Sequence, residues 1–187
     1  TACLVQAQLG CTNAGAFDLQ AACSGFVYAL EQARGFLNFY PEKKALVIGS
    51  ECLTRVVNWA DRSSCILFGD GAGALVLGND EAPGVAATHT KAYTILGADG
   101  TGANFIVRTG GTKDALQFDP EFGIPMPPPP VQPEMKLAGH DVFAFAVRTL
   151  SKVVTDLCEK FGTTPEQGVD RVFAHQANAR IIEAVAR

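Results

Sequence analysis

Apolar positions recur along this chain with two different periods, and the changes between them mark its elements. Leu4, Val5 and Leu9 suit one face of a short helix that Gly10 stops. Residues 16–20 read as a strand. Phe26, Val27, Leu30, Ala33 and Leu37 then recur at helical spacing and predict a helix over residues 24–38. A Pro41-Glu42-Lys43-Lys44 turn leads into the continuous apolar run 45–49, the pattern of a strand covered on both faces. Residues 65–68 and 72–77 read as two more strands, joined by a tight Gly69-Asp70-Gly71 turn.

Polarity breaks at residues 79–84, which divides the chain into 1–83 and 84–187. Residues 85–93 predict a strand. The stretch 109–136 is irregular, and its four prolines at 127–130 favour polyproline II, best read as a stiff surface loop rather than a ligand for another protein. Phe143, Val147, Leu150, Val154, Leu157 and Phe161 form the apolar stripe of the longest helix, over 137–161. Thr164-Pro165-Glu166 is a helix start with proline at the first position. Residues 172–175 read as a strand end and 177–187 as a helix. Strands with continuous apolar runs alternating with helices indicate a layered α/β architecture.

Composition narrows the function classes. Among 187 residues, 48% are hydrophobic and 18% charged, which describes an ordinary folded core without a run of membrane-spanning length. The formal charge of −4 offers nucleic acid no general attraction, so an acidic partner needs a local basic patch. Cys3, Cys11, Cys23, Cys52, Cys65 and Cys158 include no C-x-x-C pair, which argues against zinc and for reduced thiols in a cytosol-like compartment. The chain opens inside one apparent helix and stops inside another, so an incomplete stretch is expected.

Two side chains stand out chemically. Cys23 lies where a β-type run meets a helical one, and a thiol at a helix start favours its thiolate, the form that attacks carbonyls. Its neighbours Ala21, Ala22, Ser24 and Gly25 are small enough to admit a substrate. The bland reading is a buried small hydrophobe. His175 repeats the arrangement at a second strand–helix junction, and reactive groups of open α/β sheets collect at such strand ends. His89 and His140 have no such setting. Asn178 is expected one helical turn beyond His175, or as a polar residue at the helix start. Arg180 and Arg187, seven apart, would share a helix face. Gly69-Asp70-Gly71-Ala72-Gly73 lacks the Lys-Ser/Thr of a phosphate loop and precedes a strand, so it reads as a close-packed turn.

Three segments together resemble β-ketoacyl-acyl-carrier-protein synthase III, a thiolase-fold condensing enzyme. They are residues 16–26 (AFDLQAACSGF), 68–74 (FGDGAGA) and 175–182 (HQANARII), in the family's order. The resemblance implies a partial thiolase-like αβαβα architecture, with 1–83 in the N-terminal half and 84–187 in the C-terminal half. It implies that Cys23 is the acylated nucleophile and His175 a decarboxylation residue. Arg62, in Trp59-Ala60-Asp61-Arg62, matches a contact to the coenzyme A nucleotide. Gly139, Phe143 and Asn178 match the pantetheine channel, and Arg180 a residue that docks acyl carrier protein. It also implies acyl-coenzyme A and acyl carrier protein as partners, a cytoplasmic homodimer, and no bound cofactor or metal. Neither nucleic acid nor membrane is expected.

The chain departs from the family pattern in three ways. The catalytic asparagine and the glycine-rich oxyanion loop belong beyond Arg187, the tryptophan and arginine that clamp adenine belong before Thr1, and the 109–136 loop is longer than in compact members. This segment alone is therefore expected to be nearly inactive. The reaction implied is a decarboxylating Claisen condensation of a short acyl-coenzyme A, with acetyl-coenzyme A favoured, and malonyl-carrier protein. The alternatives are a related enzyme of polyketide or other secondary metabolism, a non-catalytic partner of the same fold, and, more remotely, a Cys-His thiol hydrolase.

Overall fold

The computed structural model describes residues 1–55, 57–79, 92–108 and 135–187. They belong to two units, Thr1–Gly49 with Ala72–Lys91 and Ser50–Gly71 with Ala92–Arg187. The chain does not change unit at a single break: residues 50–71 belong with the second unit.

In the first unit, α1 (Ala2–Gln8) ends at Gly10, whose φ of +67° suits glycine. Residues 16–20 form no strand, contrary to their pattern. Their polar groups serve α1 instead: Asp18 accepts a hydrogen bond from the Ala2 N–H at 3.0 Å, and the Ala16 carbonyl accepts one from Cys3 Sγ at 3.5 Å. A single 3₁₀ turn, Ala22–Ser24, leads into α2 (Gly25–Phe39). Leu37 on α2 and Val47 on β1 (Lys44–Cys52) are the buried apolar residues among those described in this unit. β1 lies close to α2, where a Cβ added at Gly49 would stand 3.2 Å from the Phe26 ring.

β1 pairs with β2 (Asp70–Gly78), and Asn79 Nδ2 donates to the Leu37 carbonyl at 2.7 Å, fastening the end of β2 to that of α2. The apolar run of β1 is covered on one face only among the described residues. Val47 is 5% exposed, whereas Leu46 and Ile48 are 47% and 43% exposed.

In the second unit, residues 65–68 are not a strand. Cys65–Leu67 form a 3₁₀ turn, and Asp70 already belongs to β2, so Gly69-Asp70-Gly71 is no hairpin turn. Side-chain hydrogen bonds from Ser63 and Ser64 to Asp61 close the chain locally just ahead of this segment, overriding its apolar, strand-like composition.

β3 (Ile106–Arg108) pairs antiparallel with β4 (Met135–Leu137), with Val107 opposite Lys136. The expectation of irregular chain up to residue 136 therefore fails at its end. The rest of that loop, with its four prolines, lies outside the described residues, as do residues 85–91 of the expected strand. Ala92 and Tyr93 are not in a strand.

The long helix α3 (Gly139–Phe161) matches its apolar stripe and ends at Gly162, φ +72°, whose N–H bonds to the Glu159 carbonyl at 3.0 Å. Thr164 and Pro165 open α4 (Pro165–Gly168). Residues 172–175 form no strand, and Phe173 is 93% exposed. α5 (Ala179–Val185) packs on α3 and buries Ile181. It stops before Arg187, so Arg180 and Arg187 do not share a helix face. Among the described residues, no helix is long and apolar enough to cross a membrane.

Candidate active site

Cys23 sits in the middle of the 3₁₀ turn that precedes α2, one residue before Ser24, the helix cap. The turn is entered through Ala22 at φ +46°, the one non-glycine positive φ among the described residues. An L-residue pays for this conformation through its Cβ, so the surrounding chain must hold it. The Ser24 N–H donates to the Ala21 carbonyl at 3.1 Å and the Gly25 N–H to that of Ala22. The result is an exposed thiol at the mouth of a helix, with no hydrogen-bond partner among the described residues. Among the described residues Cys23 is exposed and not the buried small hydrophobe of the bland reading. Space around it is also explained locally, because a Cβ at Gly25 would meet nothing within 4 Å.

His175 is exposed, in irregular chain four residues ahead of α5. The strand–helix junctions read for Cys23 and His175 thus lack their strands, although each side chain still precedes a helix. Cys23 belongs to the first unit and every other predicted site residue to the second.

Within the second unit, Gly139 opens α3 and Phe143 lies one turn along it, half-buried. Asn178 is the cap of α5: its Oδ1 accepts the Arg180 N–H at 2.9 Å. It is therefore not a turn along a helix from His175. Arg180 follows on α5 with an exposed side chain. The packing of α5 on α3 brings together the helices bearing Gly139, Phe143, Asn178 and Arg180.

Arg62 is exposed in the turn between Asn58 and Cys65. Its neighbour Asp61 is occupied elsewhere: Oδ1 accepts from the Ser63 N–H at 2.9 Å and hydroxyl at 2.6 Å, and Oδ2 accepts from the Ser64 hydroxyl at 2.6 Å. These bonds, the Ser63 hydroxyl's foremost, hold the Asp61 carboxyl below the ordinary carboxylate range. Sequence reasoning passed over Asp61 and Ser64. The spacing Asp-x-Ser-Ser was the available signal, since short polar side chains of this kind bond back to their own turn.

All six cysteines are free. Among the described residues, no group of three or more His, Cys, Asp or Glu side chains is placed to hold a metal ion. His140 is exposed at the start of α3, 3.8 Å from Asp141, and His89 lies outside the described residues.

Comparison with known proteins agrees with the three motifs. Residues 17–94 match the family described as 3-oxoacyl-[acyl-carrier-protein (ACP)] synthase III. The whole chain is 41% identical, over 187 residues, to a β-ketoacyl-[acyl-carrier-protein] synthase III of Xylella fastidiosa, of which it covers 52%. It is 43% identical to that of Thiobacillus denitrificans, of which it covers 53%.

Among solved structures, the synthase III of Thermus thermophilus aligns with a TM-score of 0.73 at 37% identity, over 98% of this chain and 52% of that one. The priming β-ketosynthase of the R1128 polyketide pathway aligns at 0.75 and 34%, over 98% and 50%. The chain spans about half the length of the curated relatives it matches. Over that half, it is similar to the β-ketoacyl-acyl-carrier-protein synthase III proteins and shares the thiolase-like α/β fold of the solved ones.

Proposed function

We propose that this chain supplies the acyl-accepting part of a 3-oxoacyl-acyl-carrier-protein synthase III. Such an enzyme condenses a short acyl-coenzyme A, acetyl-coenzyme A in the favoured case, with malonyl-acyl carrier protein. The observation that carries the reading is Cys23, an exposed thiol at a helix mouth inside a segment that matches the family. A non-catalytic partner of the same fold would have no need of this nucleophile.

In the reaction, the Cys23 thiolate attacks the thioester carbonyl, and coenzyme A departs as its thiol after taking up a proton. The malonyl thioester then loses CO₂, and the electron pair left behind forms an enolate. A hydrogen bond from His175 to the thioester oxygen stabilises the charge where it develops. The enolate carbon attacks the acyl group, the C–S bond to Cys23 breaks, and a 3-ketoacyl-carrier protein leaves.

Arg62 serves the nucleotide end of coenzyme A, Gly139, Phe143 and Asn178 the pantetheine arm, and Arg180 the acidic carrier protein. Coenzyme A and phosphopantetheine arrive with the substrates, so the reaction requires no resident cofactor. A homodimer in the cytoplasm, with residues 1–83 and 84–187 in the two thiolase-like halves, completes the reading.

Condensation by the full-length protein tests it. Acetyl-coenzyme A and malonyl-carrier protein should give stoichiometric CO₂ and 3-ketoacyl-carrier protein. Turnover of malonyl-coenzyme A in preference to malonyl-carrier protein would assign the chain to a polyketide-type enzyme instead. Absence of product with either would remove the condensing function.

A further inference from the structure

We infer that Asp61 is a positioning residue for Arg62, and that it acts selectively on substrates bearing the coenzyme A nucleotide; this rests on the assignment of Arg62 proposed above. An arginine beside an aspartate is ordinarily exposed to competition from that carboxylate. Here both Asp61 oxygens already accept hydrogen bonds from Ser63 and Ser64. Ser64 is fully buried, and its hydroxyl is spent on Asp61 alone, on Oδ2 at 2.6 Å and on the backbone carbonyl at 3.4 Å.

The backbone is fixed on both sides of Arg62 as well. The Asp61 N–H donates to Asn58 at 3.0 Å, and the Asp61 carbonyl accepts from the N–H groups of Ser64 at 3.2 Å and Cys65 at 3.0 Å. Arg62 is left at the apex of this turn, exposed, with no hydrogen bond or ion pair among the described residues. A guanidinium held in place and free of its neighbouring carboxylate is preorganised for a phosphate, whose oxygens match its planar donors. Neither Asp61 nor Ser64 needs to touch the substrate for this.

Acylation kinetics of the full-length protein with two donors provide the test. Acetyl-coenzyme A has the nucleotide and acetyl-pantetheine lacks it. Asp61→Ala, and the milder Ser64→Ala in case the first fails to fold, should lower kcat/KM for acetyl-coenzyme A by about tenfold, the scale of one charge-assisted hydrogen bond. Both should leave acetyl-pantetheine within about twofold of wild type, and neither should add to the effect of Arg62→Ala.

A variant that slows both donors alike would show a merely structural role and overturn the inference. So would an Arg62→Ala variant that separates the donors while Asp61→Ala and Ser64→Ala do not. Should Arg62→Ala itself treat both donors alike, the nucleotide contact fails, and this inference falls with it.

Discussion

The Asp70 carboxylate clasps Thr54 sixteen residues earlier in the chain, accepting its backbone N–H at 2.9 Å on Oδ1 and its hydroxyl at 2.6 Å on Oδ2. Thr54 in turn accepts the Trp59 indole N–H on its carbonyl at 3.3 Å. The aspartate of the Gly69-Asp70-Gly71 sequence therefore joins the first residue of β2 to the turn that follows β1. It serves as a clasp.

This clasp has a pH signature. The Thr54 hydroxyl bond, then its backbone bond, with Arg55 adding a smaller attraction, hold the Asp70 carboxyl below its ordinary value. A carboxyl depressed by folding contributes stability above its unfolded pKa of about 3.9, and that contribution disappears as pH falls towards the folded value. Urea midpoints of the full-length protein should thus decline below about pH 4, and Asp70→Asn should flatten that decline while lowering the midpoint at pH 7. An unchanged acid slope in Asp70→Asn would remove the clasp.

The backbone at Ala22 makes an ordered prediction. At φ +46°, a Cβ costs about 1–2 kcal/mol, which glycine avoids at the expense of greater freedom when unfolded. Ala22→Gly should stay within about 1 kcal/mol of wild type, whereas the β-branched Ala22→Val should lose at least about 1–2 kcal/mol. Denaturant unfolding that ranks valine equal to alanine would contradict this conformation beside Cys23.

Gly162 supplies a control outside the residues assigned to the chemistry. It closes α3 in the left-handed region, and the following Thr163 N–H bonds to the Cys158 carbonyl at 3.0 Å. Gly162→Ala should cost about 1 kcal/mol in unfolding experiments without altering acylation of Cys23. A neutral change in stability would show that α3 ends otherwise.

Asn178 has two assignable roles that one pair of variants separates. As the cap of α5, it should lose about 1 kcal/mol on Asn178→Ala and almost nothing on Asn178→Asp, because aspartate caps as well. As a contact to the pantetheine arm, it should lose activity in both. Full activity in Asn178→Asp would restrict the residue to capping.

Several of these relationships were legible in the chain and others were not, for physical reasons. Helices α2 and α3 announce themselves through long amphipathic stripes, and the Thr164-Pro165 start of α4 through its local chemistry. Cys23 emerged from its place at a helix start, and Arg62 from the family resemblance alone.

The strands at 16–20 and 172–175 failed because apolar composition records a propensity, while a strand exists only when a partner ladder accepts its bonds. The 3₁₀ turn at 65–67 failed for the opposite reason: residues 61–64 settle the local backbone through side-chain bonds that hydrophobic periodicity does not register. The Asp70–Thr54 clasp spans sixteen residues, and no local pattern exposes it. Ala22 conceals its conformation completely, since glycine or asparagine would be the usual sign of a positive φ.

The most direct test of the central claim is acyl transfer to a single sulfur. The full-length protein is incubated with labelled acetyl-coenzyme A, quenched, and mapped by peptide mass spectrometry. The account predicts one thioester-linked acyl group on the peptide containing Cys23, and its loss in Cys23→Ser. Acylation confined to another cysteine, or none with any short acyl-coenzyme A, would contradict it.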